Sequence, residues 1–125
     1  MSPLEDAFDF LFEFDDGNIE LEIPITPKYV EKIRLLSTDL LAKGVDVSGL
    51  SMPEVNALLS EMASVNTRWN HSLQQCLDRA YRLAEENLLD DAAQLLNSFA
   101  KDCPSGFYGK IALDVKDEII GRKSE

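Results

Sequence analysis

Glu13, Asp15, Asp16, Glu20 and Glu22 crowd into ten residues of a segment, Met1 to Pro27, that holds eight carboxylates and no lysine or arginine. The chemistry open to such a cluster is the attraction of positive charge, either a basic protein surface or a divalent ion shared by paired acids. Like charges set this close repel one another, and that cost is tolerated where a partner neutralises it, so these five residues are the candidate partner-binding site. Glu5, Asp6 and Asp9 complete the eight, set against a net charge of −11 for the whole chain. The acids alternate with Leu4, Phe8, Phe10, Leu11, Phe12, Phe14, Ile19, Leu21 and Ile23, too many apolar residues for a disordered acidic tail. The segment is expected to fold and to turn its carboxylates outward.

Other reactive side chains are sparse. His71 is the only histidine, and it precedes Cys76 by five residues, about 500° around a helix, so the two share no metal-binding face. It reads as a surface or capping side chain. Cys76 and Cys103 lack the spacing of a zinc knuckle or a redox pair and read as buried thiols. Trp69 falls on an apolar stripe and reads as core. Glu20 and Glu22 would point the same way from an extended segment, but the stretch lacks the loop spacing of an EF-hand, and Glu85-Glu86 and Asp90-Asp91 read as solvated acids. Gly106-Phe107-Tyr108-Gly109 has no lysine in phosphate-loop register. No catalytic residue, cofactor or metal site is expected, and the chain reads as non-enzymatic.

The isoelectric point near 4.4 argues against nucleic acid and anionic membranes as partners, because phosphate oxygens are repelled by an acidic surface within a Debye length, roughly 8 Å at physiological salt. Arg68, Arg79, Arg82, Lys110, Arg122 and Lys123 are scattered and draw no basic groove. No apolar run approaches the roughly 18 residues of a membrane span, and the start lacks a secretory signal, which places the chain in the cytoplasm.

The elements that must position these residues are helical. Ser2-Pro3-Leu4-Glu5 is a helix start, and a helix from about Pro3 to Phe14 buries Leu4, Phe8, Leu11 and Phe12, widened by Phe10 and Phe14, before Asp15-Asp16-Gly17-Asn18 ends it. Ile19 to Ile23 alternates like a strand but has no partner strand, so it is expected as an extended connector held by Ile19, Leu21 and Ile23. Thr26-Pro27 opens a second helix carrying Val30, Ile33, Leu36 and Leu40, with Lys43-Gly44 as a basic last turn and left-handed stop. Ser51-Met52-Pro53-Glu54 is a capping box. From Val55 the apolar positions Leu58, Met62, Val65, Trp69, Leu73, Cys76, Ala80 and Leu83 run on to about Glu86 as one helix, unless Asn66-Thr67 interrupts it. A fourth helix carries Ala93, Leu96 and Phe99 behind Asp90 and Asp91. A fifth carries Tyr108, Ile111, Ala112, Val115 and Ile119 and ends at Gly121, with a frayed tail from Arg122 to Glu125. With 125 residues and 45% hydrophobic content, this is expected to be one all-α domain, an antiparallel bundle of about five helices that buries roughly two-thirds of its unfolded surface.

Residues 80 to 105, with Ala84, Ala92 and Ala93 permitting close approach, resemble a tetratricopeptide-type helical hairpin, without a second copy at a 34-residue period. Ile23-Pro24-Ile25-Thr26-Pro27-Lys28-Tyr29-Val30, Arg79-Ala80-Tyr81-Arg82-Leu83, Asp90-Asp91-Ala92-Ala93-Gln94-Leu95-Leu96 and Pro104-Ser105-Gly106-Phe107-Tyr108 together resemble the small bacterial DUSAM domain family, from about Phe8 to Glu118. Departures are the aromatic acidic first helix and Trp69-Asn70-His71 in place of a more basic stretch. The resemblance implies a bacterial helical domain without enzymatic activity, and it transfers no site residue.

The leading expectation is an acidic, cytoplasmic immunity protein that neutralises a secreted toxin by docking on its basic surface. A nuclease-type toxin must carry a positive cleft, and a carboxylate-rich inhibitor associates quickly with it. One alternative is a secretion chaperone or adaptor that holds a partner segment in an apolar helical groove, and another is an enzyme using paired acids with a divalent ion. An odd number of helices can leave an apolar face for a second subunit, so a homodimer also fits.

Overall fold

Five helices account for most of the chain: α1 (Pro3–Asp15), α2 (Pro27–Leu41), α3 (Met52–Glu85), α4 (Leu89–Asp102) and α5 (Gly106–Lys123). The computed structural model describes residues 2 to 123, and among them there is no strand. The fold is all-α. Residues up to Thr67 gather into one compact unit and residues from Arg68 onward into a second, with α3 contributing its first half to one and its second half to the other.

Local signals set most helix ends. Ser2 Oγ accepts from Glu5 N at 3.1 Å and Pro3 occupies the first turn, so α1 starts where its cap is. At its other end Asn18 N donates to Glu13 O (2.9 Å) and Gly17 N to Phe14 O (3.0 Å), with Gly17 at φ +80°, a left-handed cap that only a residue lacking Cβ enters freely. The end of α3 repeats the motif with Asn87 at φ 64°: Leu88 N donates to Leu83 O (2.8 Å) and Asn87 N to Ala84 O (3.0 Å). Asn66-Thr67 does not interrupt α3. Its 34 residues are continuous, because Asn66 is buried and Val55, Leu59, Met62 and Ala63 keep the apolar stripe unbroken up to it.

In the first unit α1 packs on α2. Ala7, Phe8, Phe10 and Leu11 face inward, and Phe10 stacks on Tyr29 with ring centroids 5.0 Å apart. The expected burial of Phe12 is not observed: it is 43% exposed, and Phe10 takes the inward place beside Tyr29. The connector has no regular secondary structure up to a bend at Ile23-Pro24, and the bend breaks the alternation, leaving Ile23 53% exposed and burying Ile25 instead. Helix α2 also stops earlier than expected. The left-handed residue is Ala42 (φ 59°), not Gly44, and the helix ends at Leu41. A Cβ at Gly44 would lie 3.0 Å from Thr38 Oγ1, so a side chain there would require Thr38 to give way by a few tenths of an ångström.

Ser37 ties this corner together. It is fully buried; its hydroxyl donates to Arg34 O (3.0 Å) and accepts from Val45 N (2.9 Å), while its carbonyl accepts from Lys43 N (3.3 Å). Ser37→Ala strands the Val45 N–H and is expected to cost about 1–3 kcal/mol in urea unfolding; a loss well under that would mean that Val45 finds another acceptor.

The capping box at α3 forms as the sequence indicates. Glu54 accepts from Ser51 Oγ (2.9 Å) and Ser51 N (3.2 Å), while Ser51 Oγ accepts from Glu54 N (3.4 Å). The Ser51 hydroxyl and then its N–H hold Glu54 below the ordinary carboxylate range, as the Ser48 hydroxyl and N–H do for Asp46. A folded pKa below the unfolded one contributes stability above the unfolded value, near pH 4, and that stability is lost as pH falls through the folded value. Glu54→Gln is therefore expected to lose less of its thermal midpoint than the native chain between about pH 5 and pH 3. Parallel melting curves over that window would assign the acid sensitivity elsewhere.

The second unit comprises the second half of α3 with α4 and α5, whose buried residues include Leu73, Ala80, Ala92, Leu96, Tyr108, Ala112 and Ile119. Ala92 and Ala93 are buried as the hairpin reading requires, whereas Ala84 is only half-buried. The fifth helix does not end at Gly121 but runs to Lys123, because a lone glycine costs only about 1 kcal/mol in a helix and no turn follows it directly. Of the tail expected to fray, Arg122 and Lys123 are helical, and Ser124 and Glu125 lie outside the described residues. Trp69 is half-buried, edge-on to Phe99 at 6.0 Å, with the Arg68 guanidinium 6.0 Å from its ring, and its buried Nε1 has no hydrogen-bond partner among the described residues.

Candidate functional site

Seven of the eight carboxylates in residues 1 to 27 divide into three groups, all within the first unit. Asp6, Asp9 and Glu13 recur at helical spacing on α1 and line a cleft of about 280 Å³ with Phe10, Ile19, Tyr29, Lys28 and Lys32. Glu20 and Glu22 line a second cleft of about 190 Å³, walled by Leu21, Pro24, Ile25 and Tyr29. Tyr29 is common to both, and the Lys28 ammonium lies 5.1 Å from its ring centroid, so this aromatic face already accepts a cation. Asp15 and Asp16 sit at the end of α1 and line neither cleft.

Glu13, Asp15, Asp16, Glu20 and Glu22 are all exposed, and none makes a side-chain hydrogen bond or ion pair among the described residues. Their surroundings differ. Glu13 shares its cleft with two lysines of the same molecule, which offset its charge over a short range even without a close pair. Sequence reasoning missed these lysines, although the i, i+4 spacing of Lys28 and Lys32 and the i, i+3, i+7 spacing of Asp6, Asp9 and Glu13 are visible signals. None of Asp15, Asp16, Glu20 and Glu22 lines the cleft that holds Lys28 and Lys32.

Asp15 and Asp16 also oppose the helix that carries them. The C-terminal end of a helix is its negative pole, and α1 has no basic residue in its last turn to compensate. Asp15→Asn and Asp16→Asn together are expected to raise the thermal stability of the isolated chain by about 0.3–1 kcal/mol per site at low salt, an advantage that fades as salt is added. A lower midpoint for the amide variant would show that these carboxylates support the fold instead.

Elsewhere the reactive side chains stay apart. Among the described residues no three of His, Cys, Asp and Glu gather to hold a metal ion. His71 is exposed on α3, whereas Cys76 is buried, with its thiol 3.9 Å from the Leu95 carbonyl. Burial pushes the Cys76 thiol up, outweighing the opposite pull of Arg79, so it stays protonated and unreactive at neutral pH. Cys103 is likewise buried. No helix among the described residues is long and apolar enough to cross a membrane.

Compared with known proteins, the chain matches no protein-family model, no curated protein and no solved structure.

Proposed function

We propose that this chain is a non-enzymatic protein-binding module whose acidic face docks on a basic protein, in the particular form of an immunity protein that covers the cationic cleft of a secreted bacterial toxin. The observation that carries the reading is the state of Asp15, Asp16, Glu20 and Glu22: exposed, unengaged, and in the case of the two aspartates opposed to their own helix pole. A fold gains nothing from that arrangement. A positively charged partner gains both speed of encounter and orientation from it. The carboxylates of Glu20 and Glu22, with the Tyr29 ring and the apolar wall of Leu21 and Ile25, suit the charged head and aliphatic stem of one lysine or arginine.

The reading is tested by affinity capture from the native cell at about 50 mM and about 500 mM salt, which shortens the screening distance roughly threefold. A basic partner retained at low salt and released at high salt supports it. A partner retained equally at both would favour apolar groove binding of the chaperone type, because burial of apolar surface does not weaken with salt.

A further inference from the structure

We propose that the groove between α3 and α4 in the second unit binds a small zwitterionic organic molecule with an apolar body, of the chemical class of an apolar amino acid. The groove holds about 620 Å³. That lies inside the range of roughly 300–1,000 Å³ typical of small-molecule sites, whereas the two acidic clefts fall below it. Leu95 and Phe99 give the groove an apolar surface on the α4 side. Around it stand four charged side chains: Asp78, Arg79 and Arg82 from α3, and Asp102 from the last turn of α4.

None of these four forms an ion pair or a side-chain hydrogen bond among the described residues. Unpaired charges on an open surface are ordinary, so the inference rests on their placement, two of each sign bordering one apolar surface. Arg79 and Arg82 are three residues apart on one helix face, and guanidinium forks take a carboxylate bidentately. A plain anion would also meet Asp78 and Asp102. A net-neutral ligand with separated charges satisfies both pairs, placing its carboxylate on the arginines, its ammonium on an aspartate and its apolar body on Leu95 and Phe99. The inference does not depend on the acidic face of the first unit.

Isothermal calorimetry of the full chain with three probes tests it: phenylalanine, N-acetylphenylalanine, which keeps only the anion, and phenylalaninamide, which keeps only the cation. Phenylalanine is expected to bind most tightly, with each single-charge probe weaker by about tenfold, the loss of one charge-assisted contact. In Arg79→Gln/Arg82→Gln its advantage over phenylalaninamide should vanish, and in Asp102→Asn its advantage over N-acetylphenylalanine should shrink. Three probes binding alike would overturn the proposal, as would no phenylalanine binding at about 10 mM, above the millimolar constants of weak sites. The probe series on the native chain stands even if a variant misfolds. If the variants fold and bind all three probes as the native chain does, the site lies elsewhere.

Discussion

Replacing Asp15, Asp16, Glu20 and Glu22 together by their amides is expected to slow association with the basic partner by about 10- to 100-fold at low ionic strength. The four side chains are exposed and make no side-chain hydrogen bond or ion pair among the described residues, so the substitution removes long-range attraction without removing such a contact. Rim charges act mainly on the rate of encounter, and the dissociation rate should change far less. Per charge removed, the same substitution at Asp6 and Asp9 should have a smaller effect, because Lys28 and Lys32 already offset the charge in their cleft. Stopped-flow association with the captured partner separates the two variants. Equal slowing per charge removed would show that only net charge matters and that the position of the four carboxylates does not.

The second large effect concerns the core. Leu59→Ala is expected to destabilise the chain by about 2–5 kcal/mol in urea unfolding, a large share of the roughly 5–15 kcal/mol that holds a domain of this size together. Leu59 is fully buried on α3, near Val55 and Met62 on the same helix face, and truncating it leaves a cavity that its surroundings close only in part. Leu58→Ala, one residue earlier and only half-buried, should cost distinctly less. A reversal of that order would move the inward face of α3 by one residue, to the stripe that apolar spacing alone suggests.

That pair of leucines shows where the sequence is legible and where it is not. Caps are local chemistry: Ser2 with Pro3, Ser51 with Glu54, Gly17 and Asn87 act within four or five residues, and each is found where the residue types place it. The five helices and the continuity of α3 follow from them and from the apolar period. Facing is another matter. Apolar residues fall at 8, 10, 11, 12 and 14 on α1, and at both 58 and 59 on α3, so several stripes fit and only the neighbouring element chooses among them. Tyr29, 19 residues away in sequence, selects Phe10 and leaves Phe12 outside. The bend at Ile23-Pro24 exchanges Ile23 for Ile25 in the same way, and the stop at Ala42 reflects the grip of Ser37 on Val45 and Lys43 more than any preference of alanine.

The acidic cluster was legible as a composition, whereas its division was not. Which carboxylates face lysines depends on how α1 lies against α2, and this separates Glu13 from Asp15, Asp16, Glu20 and Glu22. The narrowing strengthens the functional reading, since the four that remain gain least from their own fold.

The ionic-strength dependence of the association rate, measured for the native chain and the four-amide variant with the same partner, tests the central claim most directly. The native rate should fall steeply between about 20 mM and 300 mM salt, as screening shortens from beyond 20 Å to below 10 Å, while the variant stays nearly flat. Identical slopes for the two proteins would contradict a role for these carboxylates in recognition.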